Sequence, residues 1–278
     1  MHKTISDGTD TPEEIIKKIS EAGICLFSVT DHDSIKGGSE VPKILTEESP
    51  SFIRGVEFSC RDEDNNKYHV LGYGYDPLIG NIEEVVAKGH GFRMKKTEAR
   101  INFLKEEFGI EFPENELEDL MSLDNPGKPH IAKMLVRHGY AQDINQAIKE
   151  FIDKKRFKNV YVHPKEAIEG IISSNGIAIL AHPAYGSGDD LILGDELHSR
   201  VKKLMGFGLA GLEAYYSGFT PKIQAEVLAL AEKYDLYITA GSDYHGKNKM
   251  VELGWTNLED TASAPPGLGR FLEDVHII

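Results

Sequence analysis

Acidic and histidine side chains recur in or directly after short apolar segments of this chain. His32 follows segment 24–30, and His182 follows segment 177–181. An unpaired charge is costly to bury, so a purely structural role gives no reason for so many polar groups beside apolar strands. A barrel gathers the carboxyl ends of its strands around one mouth and would bring these distant positions together. The other side chains in this pattern are Asp31, Asp33, Glu57, His69, Asp243 and His245.

The apolar pattern predicts strands that alternate with helices. Strands are predicted at 24–30, 52–59, 68–75, 177–181, 211–216 and 236–240, and the main helices between them at 164–174, 196–205 and 221–234. An earlier helix is predicted to start at Thr11-Pro12 and to close at Gly23, because Thr is a good N-cap and Pro suits the first turn. Repeated strand–helix units predict the α/β class, with a parallel sheet or a barrel.

Residues 81–159 interrupt this alternation. Helical spacing dominates there, for example at Ile131, Met134 and Leu135, and almost no strand pattern is present. We therefore predict a helical cap at 81–159, inserted into a barrel formed by 1–80 and 160–278.

Composition excludes several classes of protein. The 278 residues include 31 Lys and Arg against 45 Asp and Glu, a formal charge of −14, which disfavours non-specific nucleic-acid binding. No apolar run reaches the ~20 residues needed to cross a bilayer, and the first residues are polar, so we expect a cytoplasmic protein without a membrane partner. Cys25 and Cys60 are too few for a disulfide framework and are predicted to be buried, reduced thiols.

Six motifs follow one another along the chain: Ser6-Asp7-Gly8, Thr30-Asp31-His32-Asp33, Gly55-Val56-Glu57-Phe58-Ser59, His69-Val70-Leu71-Gly72-Tyr73, Leu180-Ala181-His182-Pro183 and Gly241-Ser242-Asp243-Tyr244-His245-Gly246. In this order they resemble the polymerase-and-histidinol-phosphatase (PHP) family, and in particular its stand-alone metal-dependent phosphoesterases. The resemblance implies an α/β fold, a distorted (β/α)7 TIM-like barrel with an inserted helical cap.

The resemblance also implies two or three divalent metal ions. One would bind His2, Glu57 and Asp243, a second Glu57, His69 and His182, and a third Asp7, His32 and His245. Imidazole and carboxylate ligands are compatible with zinc, manganese or iron.

The start of the chain departs from the family pattern. The family has Asp-x-His-x-His before Ser-Asp-Gly. Aligned on Ser6-Asp7-Gly8, the second histidine of that motif is His2 and the residue before it is Met1, so the first histidine and its preceding aspartate would lie before residue 1. We expect that the reading frame starts upstream and that Met1 is internal. The alternative is a truncated protein with a weakened first metal site and an open seam in the barrel.

The expected reaction is hydrolysis of a small phosphorylated substrate by a metal-bound hydroxide. Nucleoside monophosphates, nucleoside 3′,5′-bisphosphates and cyclic phosphate esters all remain open as substrates. Glu57, His182, Asp243 and His245 are the expected catalytic residues. The alternatives are a 3′ exonuclease on short oligonucleotides and a catalytically silent, metal-stabilised scaffold. The oligomeric state is not legible from the sequence.

Substrate contacts are predicted from the cap and from one strand end. Arg93 lies on the same helix face as Lys96 and Arg100 and, because of the resemblance, is expected to bind phosphate. Lys96 is expected to be a solvated surface lysine. The list of predicted substrate-binding residues is completed by Lys128, His130, Tyr216 and Ser217.

Overall fold

The computed structural model describes residue 1 and residues 8–158, 160–185, 190–258 and 264–278. Two of the predicted metal ligands, His2 and Asp7, lie outside the described residues. The chain has an α/β fold built on a curled sheet of six strands, in the spatial order β1-β2-β3-β4-β5-β6. The strands are β1 (Leu26–Val29), β2 (Ser51–Arg61), β3 (Lys67–Tyr73), β4 (Ile177–Leu180), β5 (Gly211–Tyr216) and β6 (Tyr237–Gly241).

The predicted strands are confirmed with small changes at their ends, and the parallel pairing expected from the strand–helix pattern is found for three of the five strand pairs. β3 pairs antiparallel with both β2 and β4, whereas the other pairs are parallel. The connection between β2 and β3 is too short for the crossover that a parallel pair requires. Asp62 shapes this hairpin, because its Oδ1 accepts the backbone N–H groups of Asp64 (3.0 Å) and Asn66 (2.8 Å).

Ten α-helices are found in the described residues, and the first begins as predicted. The Thr11 hydroxyl accepts the backbone N–H of Glu14, and the Glu14 carboxylate accepts that of Thr11, which forms a capping box. The helices are α1 (Pro12–Glu21), α2 (Lys36–Glu40), α3 (Ile82–Phe108), α4 (Glu114–Ser122), α5 (Lys128–Arg137), α6 (Ile144–Gln146), α7 (Pro164–Ser173), α8 (Gly194–Met205), α9 (Pro221–Lys233) and α10 (Pro266–Asp274). None of the described helices is both long and apolar enough to cross a membrane.

The two faces of the sheet bury different residues. Along β2, Val56, Phe58 and Cys60 pack outward in the main core beneath the helices. Ile53 points the other way, into a smaller inner cluster that includes Phe271 of α10. Because side chains alternate along a strand, Glu57, Ser59 and Arg61 share the inner face with Ile53. The inner space of the sheet is therefore apolar near α10 and polar toward the carboxyl end of β2.

The segment from α3 to Lys154 contains helices joined by loops, with no strand among its described residues, and has a hydrophobic cluster of its own. The buried members of this cluster are Leu104, Ile110, Phe112, Leu120, Ile131, Ala132, Met134, Leu135, Ala141, Ala147 and Ile152. The division into cap and barrel stays a prediction.

Of the two cysteines, Cys60 is buried as expected, but Cys25 is exposed, so its predicted burial is wrong.

Candidate metal centre

Glu57 and three histidines meet inside the curled sheet. Glu57 is only 3 % exposed, and its Oε1 lies 2.7 Å from Nδ1 of His69 and 3.5 Å from Nε2 of His182. Its Oε2 lies 3.9 Å from Nδ1 of His32, and the two nitrogens of His69 and His182 are 3.1 Å apart. The set predicted for the second metal, Glu57 with His69 and His182, is thus brought together in full.

Asp243 and His245 form a second group beside the first. Oδ1 of Asp243 lies 3.5 Å from Nδ1 of His245, and the His245 ring centroid lies 6.4 Å from that of His32. Oδ2 of Asp243 accepts a hydrogen bond from the Tyr216 hydroxyl (3.0 Å) and forms an ion pair with Lys249. The sets predicted for the first and third metals each include a residue outside the described part of the chain.

Backbone strain accompanies these positions. Asp33, His182 and Asp243 have φ values of +48°, +28° and +52°, a region that residues other than glycine seldom adopt. Such strain persists only where the surrounding structure enforces it, and it is common at functional sites. At His182 the enforcing contact is visible, because the buried carboxylate of Glu213 accepts its backbone N–H at 2.8 Å.

Glu213 was not predicted as a site residue. It is 5 % exposed, and burial raises its pKa to about 7 although the neighbouring His182 works against this rise. Gly241 on the adjacent strand leaves room for the carboxylate, since a Cβ there would overlap Oε1 of Glu213. The sequence does contain a signal that could have identified Glu213 as a site residue, because it is an acidic residue inside the apolar segment 211–216.

The chemistry of the donor set fits a divalent cation. His32, Glu57 and His69 each offer one ligand atom, and these atoms all lie within 4.8 Å of one another. Burial disfavours protonation of His182, but its contact with Glu57 outweighs this and raises the pKa. Nitrogen and oxygen donors of this kind are compatible with zinc, manganese or iron. The clustered donors are therefore suited to a cation rather than to a hydrophobic ligand.

A cavity of about 450 Å³ opens from this cluster into the curled sheet between β1 and β6. Its polar end is lined by Glu57, His182 and Asp243, and its apolar end includes Leu71 and Phe271.

Three of the predicted substrate-binding residues already contact other groups of the chain. Arg93 forms an ion pair with Asp33 (Nη2–Oδ2, 2.6 Å), and Lys128 pairs with Asp153 (2.5 Å). His130 accepts the backbone N–H of Gly127 through Nδ1 at 3.1 Å, at the start of α5. Their role in substrate binding stays a prediction.

The two strand-end residues and Lys96 complete this set. Tyr216 faces the cluster through Asp243, whereas the Ser217 hydroxyl donates to the carbonyl of Ser242 at 2.9 Å. The expectation that Lys96 is solvated is wrong, because this lysine is only 7 % exposed. Helix α3 turns the Lys96 face toward β2, a placement that helical spacing alone does not reveal.

Comparison with known proteins shows which family the chain belongs to. A sequence model of the PHP domain matches residues 1–163, which is more than half of the chain. The chain is 28 % identical over 276 residues to a 5′-3′ exoribonuclease of Haemophilus influenzae, and the match covers 97 % of each protein.

Two further curated relatives have other activities in their names. The chain is 26 % identical over 264 residues to phosphoribosyl 1,2-cyclic phosphate 1,2-diphosphodiesterase of Eggerthella lenta, with 89 % of this chain and 93 % of that protein covered. It is 24 % identical over 278 residues to 3′,5′-nucleoside bisphosphate phosphatase of Chromobacterium violaceum, with 96 % and 91 % covered.

A solved structure shares the fold. The crystal structure of a candidate metal-dependent phosphoesterase from Bifidobacterium adolescentis superposes with a TM-score of 0.81 at 26 % identity, over 99 % of this chain and 94 % of that one. The likeness therefore extends beyond the residues that the PHP domain model matches.

Proposed function

The chain belongs to the PHP domain family, and on that basis we propose that it hydrolyses a small phosphorylated substrate with the help of divalent metal ions. It is a metal-dependent phosphoesterase, in line with the activities of its relatives. The observation that carries this proposal is the convergence of Glu57 with His32, His69 and His182 beside the cavity inside the curled sheet.

We assign the metal-binding role to the whole predicted set: His2, Asp7, His32, Glu57, His69, His182, Asp243 and His245. Two or three ions of zinc, manganese or iron would be held there. When bound, such ions lower the pKa of a coordinated water and neutralise phosphoryl oxygens. The distances among Glu57, His69 and His182 support one of these sites directly.

The chain's own residues contribute orientation and charge. Tyr216 donates to Asp243 and fixes the direction of that carboxylate. Lys249 lies beside the same carboxylate, with its Nζ 3.1 Å from the Tyr216 hydroxyl, and brings a positive charge to the edge of the cluster. Glu213 positions His182 through its backbone N–H. These contacts hold the ligands in place before the substrate arrives, because groups that hydrogen-bond to metal ligands fix the orientation of those ligands.

We infer that residues 81–159 form a cap on a seven-stranded barrel composed of 1–80 and 160–278. The separate hydrophobic cluster of the helical segment supports this division. Two contacts link that segment to the rim of the site: Arg93 pairs with Asp33, and the Asn125 side chain donates to the carbonyl of His32. The cap would supply Arg93, Lys128 and His130 for phosphate recognition.

The test is a hydrolysis screen with manganese or zinc supplied. Phosphate release is measured for nucleoside monophosphates and nucleoside 3′,5′-bisphosphates, and formation of the ring-opened monoester is measured for cyclic phosphate esters. Glu57→Gln keeps the size of the side chain but removes the negative charge shared by the histidines. We expect it to lower the rate at least about 100-fold on every substrate that the wild type hydrolyses. Near-normal rates in this variant would refute the metal assignment.

A second candidate function is hydrolysis of RNA from one end. The relative from Haemophilus influenzae is named a 5′-3′ exoribonuclease, so this direction replaces the 3′ direction considered from the sequence. The formal charge of −14 argues for short chains only, because long nucleic acids require extended positive surfaces. Release of 5′ mononucleotides from a short 5′-phosphorylated RNA would favour it. Full metal loading with no turnover would instead favour a silent scaffold.

A further inference from the structure

A lysine side chain lies directly against one of the predicted metal ligands. The Lys249 ammonium group forms an ion pair with Oδ2 of Asp243, and its Nζ lies 3.1 Å from the Tyr216 hydroxyl. A lysine ammonium group has three hydrogen-bond donors and no acceptor, so it can neutralise a carboxylate but cannot itself bind a metal ion. The placement of a cation beside a predicted metal ligand therefore requires an explanation.

The three side chains form a closed triangle of hydrogen bonds. Lys249 donates to Asp243 and to the Tyr216 hydroxyl, and that hydroxyl uses its own proton to donate to Oδ2 of Asp243 at 3.0 Å. Oδ2 thus accepts from two donors at once, one of which has a full positive charge. A divalent ion that binds this oxygen has to displace a donor, and an ion that binds Oδ1 is repelled by the nearby ammonium group.

The backbone around Lys249 holds it in this place. Gly246 has a φ of +64°, and a Cβ there would lie 2.0 Å from Oγ1 of Thr9. The same Thr9 hydroxyl accepts the backbone N–H of Lys247 at 3.0 Å, and the backbone N–H of Val251 donates to the carbonyl of Lys249 at 2.9 Å. The loop is fixed on both sides of the lysine, so its approach to Asp243 is a feature of the fold.

The charges at the polar end of the cavity give the lysine a purpose. Three carboxylates, those of Glu57, Glu213 and Asp243, line this end. Negative charges held together repel one another, and a cation placed among them reduces that repulsion. Lys249 therefore supplies at Asp243 part of the positive charge that a metal ion would bring.

The surroundings of Glu57 are different. Its Oε1 lies 2.7 Å from Nδ1 of His69 and 3.5 Å from Nε2 of His182. Neutral imidazoles are metal ligands themselves, so these neighbours strengthen the binding of an ion at Glu57. The neighbour at Asp243 is a lysine with a side chain that is 37 % exposed and can turn toward water when an ion enters.

We propose that the Lys249 ammonium group competes with a divalent metal ion for Asp243. This inference rests on the metal-binding part of the proposed function and adds an order of loading to it. The ion held by Glu57, His69 and His182 binds first and tightly. The ion at Asp243 binds more weakly, because it has to displace the lysine, and its occupancy follows the free metal concentration.

The experiment compares the metal binding of Lys249→Met and Lys247→Met with that of the wild type. Lys247 is exposed and lies two residues earlier in the same loop, so both variants lose one positive charge from one segment. Calorimetry measures the binding of Mn²⁺ to the metal-free proteins. We expect Lys249→Met to bind the weakest ion of the wild type at least about tenfold more tightly and to change the tightest ion less than about twofold. Lys247→Met should bind both like the wild type.

Two further variants locate the effect. Lys249→Arg keeps the positive charge and is expected to bind manganese like the wild type. Asp243→Asn, introduced into Lys249→Met, is expected to abolish the gain in affinity, and circular dichroism establishes that each variant folds. Unchanged or weaker binding of the weakest ion in Lys249→Met would overturn the proposal. A gain that survives Asp243→Asn would also overturn it, since the ion would then lie elsewhere.

These measurements contain no substrate, so they separate this proposal from the proposed hydrolysis. A protein that shows the expected gain in metal affinity but hydrolyses no phosphate ester would refute the hydrolysis and leave the competition at Asp243 intact. A protein that hydrolyses phosphate esters but binds manganese equally well with and without Lys249 would refute the competition and leave the hydrolysis untouched.

Discussion

Replacing Lys96 with Met is expected to stabilise the protein at neutral pH. Burial, as the largest cause, lowers the pKa of Lys96 from its usual 10.5 to about 7. Each tenfold change in proton affinity corresponds to 1.36 kcal/mol, so keeping this lysine charged costs the folded protein about 5 kcal/mol, and about 4 kcal/mol at pH 7. The Lys96 Nζ lies 4.0 Å from the centroid of the Tyr161 ring, and this cation–π contact returns about 0.5–2 kcal/mol. Lys96→Met should therefore raise the free energy of unfolding by about 2–4 kcal/mol at pH 7.

The pH dependence gives the sharper measurement. Between about pH 7 and pH 10.5 the unfolded chain binds the Lys96 proton and the folded protein does not, so the wild type gains stability as the pH rises. The cost falls from about 4 kcal/mol at pH 7 to about 1 kcal/mol at pH 9.5. The stability difference between Lys96→Met and the wild type should thus shrink by about 3 kcal/mol over this interval.

Urea denaturation of the wild type, Lys96→Met and Lys95→Met at both pH values measures these differences. Lys95→Met serves as the control, since an exposed lysine is charged at little cost in both states and should show a constant difference. If Lys96→Met were less stable than the wild type by the same amount at pH 7 and pH 9.5, Lys96 would not be an uncompensated buried cation.

Three further changes test other parts of the structure. Asp33→Asn removes the counter-charge of Arg93 and should lower the free energy of unfolding by about 3 kcal/mol, as urea denaturation would measure; a loss below about 0.5 kcal/mol would mean that the ion pair is dispensable. Gly241→Ala places a methyl group against Glu213 and should cost about 1–3 kcal/mol, with Gly241→Ala in a Glu213→Ala background as the control for relief of the clash. Thr11→Ala removes the cap of α1 and should cost about 1 kcal/mol, whereas Thr11→Ser, which keeps the hydroxyl, should leave the melting temperature nearly unchanged.

The strands and helices could be predicted from the sequence because the residue patterns that specify them are local. The strand 211–216 has the same bounds in the structure, and the capping box at Thr11 lies at the predicted helix start. The positions of His32, His69 and His182 at or near strand ends also follow from the order of residues alone. Each of these features depends on neighbours a few positions away, which the sequence displays directly.

Other features depend on which distant surfaces meet. The antiparallel placement of β3, the burial of Lys96 and the approach of Glu213 to His182 were not anticipated. The spacing of Arg93, Lys96 and Arg100 identifies a helix face but cannot say whether that face meets water or β2. Only the packed tertiary structure decides this, because the cost of burying a charge is set by the atoms that surround it in space.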